Sequence, residues 1–323
     1  TDAAEDRLVF ATPHEPEWGF EPEVSDDGRF LVLSVWRGTD PENRIYVADL
    51  QWGVEEATVR PLLDAADASY QPIGMIDGRL LLLTDRDAPL GRVVAVDLQD
   101  AEDVREIIPE GDDALERVCL VGNRLAAVYL HHAHHRLTIF EPDGGHVVDV
   151  SLPGIGTIVD AAGRRTDEDL YLTFMSFAAP ASVLAVRMTD GVMREVQRPV
   201  LAWDPTDFVT EQVFVTSDDG TQVPLFLTRR RDVMPDGEVP TLLYGYGGFQ
   251  IPIGPTFKAE WLTWLERGGL LAVASLRGGG EYGKAWHDAG RMKNKMNTFT
   301  DVIAAGEYLV AGKIAAKDRL AGE

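Results

Sequence analysis

Tyr244-Gly245-Tyr246-Gly247-Gly248-Phe249 and Arg277-Gly278-Gly279-Gly280-Glu281-Tyr282-Gly283 decide how this chain is read. Each follows a short apolar run, Thr241-Leu242-Leu243 and Leu270-Leu271-Ala272-Val273-Ala274. Glycine takes positive φ without steric cost, so such stretches let the backbone turn sharply and come close to a ligand. Behind buried parallel strands, that is where α/β proteins set their sites. The glycines at 278–280 are not a dinucleotide fingerprint: they follow an arginine, lack the Gly-x-Gly-x-x-Gly frame, and no helix is expected directly after them.

Around these stretches the pattern is that of an α/β sheet. Val213 to Ser217 and Gln222 to Leu227 flank Asp219-Gly220, a β-hairpin with an Asp-Gly turn. A strand is expected from Thr241 to Tyr244, a helix from Phe257 to Arg267 closed by Gly268-Gly269, and a strand from Leu270 to Leu276. A second helix is expected from Thr298 to Ala311, with Phe299, Val302, Ile303, Leu309 and Val310 as its buried stripe and Thr298 with Asp301 as a capping pair. Lys317 to Ala321 reads as the start of another strand. Strand, helix, strand, helix, strand is the doubly wound pattern.

Residues 1–200 read differently, as a weak repeat. Asp27-Gly28-Arg29 leads into Phe30 to Leu33, then Asn43 to Leu50; Asp77-Gly78-Arg79 leads into Leu80 to Leu83, then Gly91 to Leu98. Gly122-Asn123-Arg124 leads into Leu125 to Tyr129, then Arg136 to Phe140; Asp169 to Phe174 precedes Ser182 to Val186. From Gly28 to Gly78 is 50 residues and from Gly78 to Gly122 is 44. Short strands at that period, with no helical run, are the pattern of β-propeller blades. A β-sandwich would show turns about every 8–12 residues without the longer repeat. Four units could close a ring, but Arg7-Leu8-Val9-Phe10 reads as a strand within which the chain opens, so earlier blades are expected to be missing.

At 323 residues, 45% hydrophobic and 26% charged, the chain is long enough for two buried cores. The expected domains are a partial β-propeller over 1–200 and the first part of an α/β domain over 201–323. No apolar run approaches the ~20 residues of a membrane span, and Thr1 to Asp6 lack the basic and apolar regions of a signal peptide. A net charge of −23 repels phosphate backbones and anionic lipid, which argues against nucleic acid and membrane as partners. Cys119 is the only cysteine and cannot form an internal disulfide, which fits a reducing, cytoplasmic compartment.

In Pro16-Glu17-Trp18, Ser25 to Arg29, Asp40 to Arg44, Tyr244 to Phe249, Arg277 to Gly283 with Trp286, and Asn294 to Phe299, taken in order, the chain resembles the prolyl oligopeptidase family of serine peptidases. The resemblance covers nearly the whole chain and implies a seven-bladed propeller joined to an α/β-hydrolase domain. The sibling oligopeptidase B group typically carries Ser-Tyr where Gly248-Phe249 stands here, which favours the prolyl branch. By this resemblance Tyr246 helps form an oxyanion hole through its hydroxyl, Phe249 walls the pocket for the residue before the scissile bond, and Arg44 faces the propeller cavity and binds peptide. A fixed phenol near a developing alkoxide stabilises charge that appears only in the transition state. Arg277 and Glu281 are expected to organise their loop through ion pairs and backbone hydrogen bonds.

A serine hydrolase of this fold needs a Gly-x-Ser-x-Gly elbow, then an acid, then a histidine. None of the serines at 25, 34, 69, 151, 176, 182, 217 and 275 sits in such an elbow. The family's order places the elbow just after the strand that begins near Arg319, so the chain is expected to be a fragment that stops before its nucleophile. His287 precedes the elbow and is expected to be a loop residue. His131-His132-Ala133-His134-His135 invites a metal reading, but no carboxylate or cysteine stands at a convincing spacing, and an exposed hairpin turn is expected.

The parent protein thus reads as a serine oligopeptidase that cleaves short peptides after proline, monomeric and without cofactor or metal, while the chain alone is expected to be inactive. Two other readings stay open. One is a related acyl hydrolase, of the oligopeptidase B or aminopeptidase kind; the other is a propeller protein that binds peptides and has lost the elbow serine.

Overall fold

The computed structural model describes residues 7–54 and 56–323. Its contacts divide into two compact units, residues 1–111 with 141–145, and residues 112–140 with 146–323.

The first unit holds two antiparallel four-stranded sheets in which consecutive strands are neighbours. One is β1 (Trp18–Val24), β2 (Phe30–Arg37), β3 (Asn43–Asp49) and β4 (Arg60–Leu63). The other is β5 (Tyr70–Ile76), β6 (Arg79–Thr84), β7 (Arg92–Asp97) and β8 (Val104–Ile108). Val32, Ile45, Val47, Leu80, Leu82, Val94 and Val96, all on middle strands, form one cluster. They stand at alternate positions, as residues of one sheet face must.

The second unit repeats this pattern twice. β9 (Ala114–Val121), β10 (Arg124–His131), β11 (His134–Phe140) and β12 (His146–Val150) form one sheet; β13 (Thr157–Ala162), β14 (Asp169–Met175), β15 (Ser182–Arg187) and β16 (Met193–Gln197) form the next. Their facing side chains share a core that includes Val128, Ile139, Leu170, Leu172 and Val186.

The strand pairs read from the sequence are the middle pairs β2/β3, β6/β7, β10/β11 and β14/β15. The outer strands carried no clear signal because they are half-exposed: Met193-Arg194-Glu195-Val196-Gln197 in β16 has no buried residue. The expectation of a strand at Arg7 to Phe10 was wrong; the first strand among the described residues begins at Trp18.

The rest of the second unit is a five-stranded sheet ordered β17-β18-β20-β19-β21. The strands are β17 (Phe208–Thr216), β18 (Gln222–Arg230), β19 (Thr241–Gly245), β20 (Leu270–Ala274) and β21 (Leu320–Gly322). β17, β18 and β20 pair antiparallel, while β19 runs parallel to both β20 and β21. Helix α1 (Ala259–Glu266) joins β19 to β20; α2 (Gly283–Asp288) and α3 (Met296–Ala311) lie between β20 and β21. Every residue of β20 is buried. Leu270, Ala272 and Ala274 pack in one cluster with Ala304, Ala305 and Leu309 of α3. Leu271 and Val273 pack in the other with Trp261 and Leu265 of α1. A strand covered on both faces needs an unbroken apolar run, and this one has it.

Two helical expectations need correction. Helix α1 begins at Ala259, two residues late, because Phe257 is stacked flat on Trp203 with centroids 5.8 Å apart. In α3 the buried residues are Thr298, Asp301, Ala304, Ala305 and Leu309, whereas Phe299 and Ile303 are exposed. Leu309 and Val302 of the expected stripe do pack against the core, but small residues fill the rest of the inward face and let the helix lie close to the sheet, while Phe299 and Ile303 turn outward. The helix already begins at Met296, so Thr298 is no cap; its hydroxyl donates to the Arg277 carbonyl (2.7 Å), with the Gly290 carbonyl 3.2 Å away.

This orientation of α3 is testable by urea unfolding of the chain. Leu309→Ala should lower stability by about 2–5 kcal/mol, while Ile303→Ser should stay within about 0.5 kcal/mol. A loss at Ile303 comparable to that at Leu309 would restore the stripe read from the sequence.

Candidate functional site

The two glycine-rich stretches lie against each other, backbone to backbone. Gly247 has φ +59° and Gly278 φ +103°, both in the left-handed region that favours glycine. A Cβ at Gly278 would collide with the Gly247 carbonyl oxygen, and one at Gly280 with that of Gln250. The Gln250 amide donates to Gly278 O at 3.2 Å, and the Lys295 ammonium to Gly247 O. His287 Nδ1 lies 2.7 Å from Gly278 O and 3.0 Å from Gln250 N. One nitrogen cannot donate to the first and accept from the second; the shorter contact makes Nδ1–H the donor and leaves Gln250 N–H to Gly278 O. His287 sits at the C-terminal end of α2, a short helix that the sequence did not announce. The expectation of a loop residue is therefore corrected: His287 is helical, and from α2 it holds the Gly278 carbonyl.

Beneath this pair of loops Arg277 is buried, 4% exposed, with Asp301 at 0%. Its Nε and Nη2 reach the Asp301 carboxylate at 2.9 and 2.6 Å, and the Arg277 amide donates to it at 3.1 Å. Nη1 bonds Asp219 in the β17–β18 turn, and Nη2 lies 3.3 Å from Ser217 Oγ. Ser217 Oγ in turn donates to Asp301 at 2.7 Å. These hydrogen bonds raise the guanidinium further above its usual range, and the bond to Arg277 holds the Asp219 carboxyl well below its own. The expected organising role of Arg277 thus has its partners. The roles of Asp301, Ser217 and Asp219 as its partners were missed: Asp301 was read as a cap and Asp219 as a turn residue, and the one signal for Asp301 is a carboxylate on the face it shares with Thr298, two alanines and a leucine.

Tyr246 and Phe249 emerge on the far side of the same loop. Their rings are near-parallel, centroids 6.5 Å apart. Tyr246 is 44% exposed, and among the described residues its hydroxyl has no hydrogen-bond partner. Phe249 is 83% exposed and has φ +54°, followed by Gln250 at +57°. Two successive non-glycine residues in that region cost about 1–2 kcal/mol each. The hydrogen bonds of Gln250 N to Gly278 O (3.2 Å) and of Ile251 N to Gly248 O (3.0 Å) offset part of this. Phe249, Gln250, His287, Arg291, Met292 and Lys295 line a shallow cleft of about 460 Å3. Tyr244, by contrast, faces inward against Trp261, with the Lys258 ammonium over its ring.

Arg44 belongs to the first unit, on β3. Its Nε donates to Asp64 O at 3.1 Å, the guanidinium lies over the Trp18 ring, and the Asp64 carboxylate is 3.6 Å away.

The histidine turn is not an exposed hairpin. His132 and Ala133 form a two-residue turn with φ +47° and +67°, and Ala133 is fully buried. His132 Nδ1 meets the Tyr282 hydroxyl at 2.8 Å, and the Gln212 side chain donates to His132 O. His131 bonds Asp113 (2.8 Å), and His135 bonds Glu116 (2.8 Å). His134 packs edge-on to Phe226, and burial pushes its imidazole down to about 4. The carboxylates that sequence spacing did not offer come from β9 and the segment before it, and they pair with the rings one by one.

The Arg277 cluster makes a sharp prediction. Asp301→Ala leaves a buried guanidinium without its main counter-ion and should cost about 3–5 kcal/mol. Arg277→Met with Asp301→Leu removes both charges and should recover most of that loss in urea unfolding. A cost below about 1 kcal/mol for the single variant would remove the cluster from its central place.

Comparison with known proteins agrees with this architecture. Residues 1–199 match the family described as prolyl oligopeptidase, N-terminal beta-propeller domain, and residues 255–323 match the prolyl oligopeptidase family. A prolyl endopeptidase of Elizabethkingia meningoseptica is 35% identical over 99% of this chain and 45% of its own length. Prolyl oligopeptidase A of Amanita bisporigera is 32% identical over 99% of this chain and 43% of its own. A structure from a study of two prolyl endopeptidases and their inter-domain dynamics superposes with a TM-score of 0.85 at 42% identity, covering all of this chain and 47% of that one. Prolyl oligopeptidase B from Galerina marginata superposes with a TM-score of 0.90 at 31% identity, over all of this chain and 47% of its own. The chain therefore spans about half the length of the curated relatives it matches. Matched by the family over most of its length, this chain belongs to the prolyl oligopeptidase family.

Proposed function

We propose that this chain is part of a serine oligopeptidase that cleaves short peptides after proline through an acyl-enzyme. The observation that carries the reading is the free hydroxyl of Tyr246, held on a loop that is locked from behind and placed beside an exposed aromatic ring. A locked donor needs no reorganisation as the alkoxide forms, which is what makes such a group effective. Two relatives named for prolyl substrates support the choice of residue.

In this reading Tyr246 donates to the oxyanion of the tetrahedral intermediate, and Phe249 offers its ring to the residue before the scissile bond. Arg44 would bind peptide only by turning part of its guanidinium from Asp64 and Trp18. The serine, acid and histidine come from sequence outside these 323 residues, with β21 leading into the nucleophile elbow. The four antiparallel sheets are blades of a seven-bladed ring, and the division into propeller and catalytic domains falls near residue 200. A continuous core crosses that point, joining Ala133, Phe177 and Ala178 to Phe226 and Trp261. Among the described residues no helix is long and apolar enough to cross a membrane; the protein is proposed to act as a monomer in the cytoplasm, a reducing compartment compatible with its single cysteine.

The test uses a protein that carries the elbow serine. Tyr246→Phe should lower kcat on a proline-linked chromogenic peptide by about 10²–10³-fold with KM little changed. An arginine-linked peptide should be a poor substrate. An unaltered kcat, or preference for arginine, would overturn the assignment. The 323-residue chain alone should show no turnover and no labelling by a serine-directed phosphonate.

A further inference from the structure

Glu281 is fully buried, yet it has no cationic partner among the described residues. Its Oε1 accepts the amide of Ile253 at 2.9 Å. Its Oε2 is buried without a hydrogen-bond partner: the nearby Trp286 indole N–H donates instead to Leu276 O at 3.1 Å. The carboxyl head occupies the space that a side chain at position 279 would need, since a Cβ there would collide with Oε2. Gly279 therefore makes room for an acid, and that acid holds the segment directly after Phe249. The same Ile253 is fixed from its other end, where its carbonyl accepts the Ser275 hydroxyl at 3.2 Å.

We propose that Glu281 is a positioning residue that acts as a neutral acid, pinning residues 250–253 so that the loop carrying Tyr246 is held in its working shape, and that its ionisation loosens that loop. The proposal rests on the oxyanion role given to Tyr246 above.

An isolated carboxylate in such a place is strongly disfavoured, while the neutral acid is tolerated. Burial pushes the Glu281 carboxyl up to about 7, and the Glu116 carboxylate on β9 adds to the rise; the Ile253 amide, the amide of Glu281 itself and the nearby Trp286 indole pull the other way. The other ionisable groups around it are its neighbour Tyr282, whose phenol burial raises further out of range, His132 bonded to that phenol, and His135 bonded to Glu116. A carboxyl with a raised folded pKa gives a contribution that is full below its unfolded value of 4.5 and is lost as pH rises through about 7. His134, lowered from 6.5 to about 4, has the opposite slope over nearly the same window, its contribution fading as pH falls. The two offset each other, so only a comparison between variants separates them.

The experiment uses this chain and needs no turnover, so its outcome is independent of the peptidase reading. Amide exchange of Ile253 and the ring resonances of Tyr246 are followed by NMR from about pH 5 to about pH 8, for wild type and Glu281→Gln. Gln keeps the acceptor for Ile253 and cannot ionise. In the wild type both signals should titrate together with a midpoint near 7, the Ile253 amide losing about ten-fold protection beyond the intrinsic rise in exchange. In Glu281→Gln both should be flat, and its thermal midpoint relative to wild type should climb with pH. An unchanged titration in Glu281→Gln, or an Ile253 amide unprotected at every pH, would overturn the proposal. If Glu281→Gln does not fold, Ser275→Ala, which releases the other end of Ile253, should raise Ile253 exchange while leaving the Tyr246 titration in place; loss of that titration would count equally against it.

Discussion

The buried ion pair between Arg277 and Asp301 is the constraint on which the rest of the candidate site depends. One guanidinium reaches α3 through Asp301 and the β17–β18 turn through Ser217 and Asp219, from a position just past the end of the central strand β20. Removing two charges from water is costly, and it is compensated only when the geometry is good and the remaining donors are used. Here the carboxylate also takes the Arg277 amide and the Ser217 hydroxyl. With the start of the loop anchored in this way, three successive glycines can run against the neighbouring loop without a side chain between them. The close approach of the two loops then leaves Tyr246 and Phe249 on the open side.

This gives the two glycine-rich stretches different tasks. In the first, the backbone turn aims two aromatic side chains outward. In the second, the missing side chains make room: for the carbonyls of Gly247 and Gln250, and for the head of Glu281. Neither stretch needs to touch a phosphate or a dinucleotide for its composition to make sense.

Much of this architecture was legible in the sequence, because the features that decide it are local. The apolar runs of β19 and β20, the Asp-Gly turn and the glycines that end α1 each specify their own geometry. The middle strands of the four antiparallel sheets were legible for the same reason, and the half-exposed outer ones were not. The inward face of α3 was legible at Leu309 and Val302 but misread at Phe299 and Ile303, because large apolar side chains outweigh alanines in any count of hydrophobicity, whereas close packing on a sheet favours the alanines. The histidine turn was misread because its partners, Asp113, Glu116 and Tyr282, are brought to it only by the tertiary fold. Tyr246 and Phe249 came from likeness to a family. The structure adds that they share one loop; Arg44 lies in the other compact unit, already engaged by Asp64 and Trp18.

In the proposed enzyme, two mutually packed loops would hold Tyr246 where negative charge develops. This is tested most directly by a structure of a serine-bearing form of the protein with a proline aldehyde bound as a hemiacetal. Tyr246 Oη should then lie about 2.7–3.1 Å from the hemiacetal oxygen, with the loop from Gly245 to Ile253 keeping its conformation. A Tyr246 hydroxyl more than about 4 Å from that oxygen, beyond hydrogen-bond reach, or a loop that rebuilds on binding, would contradict this placement.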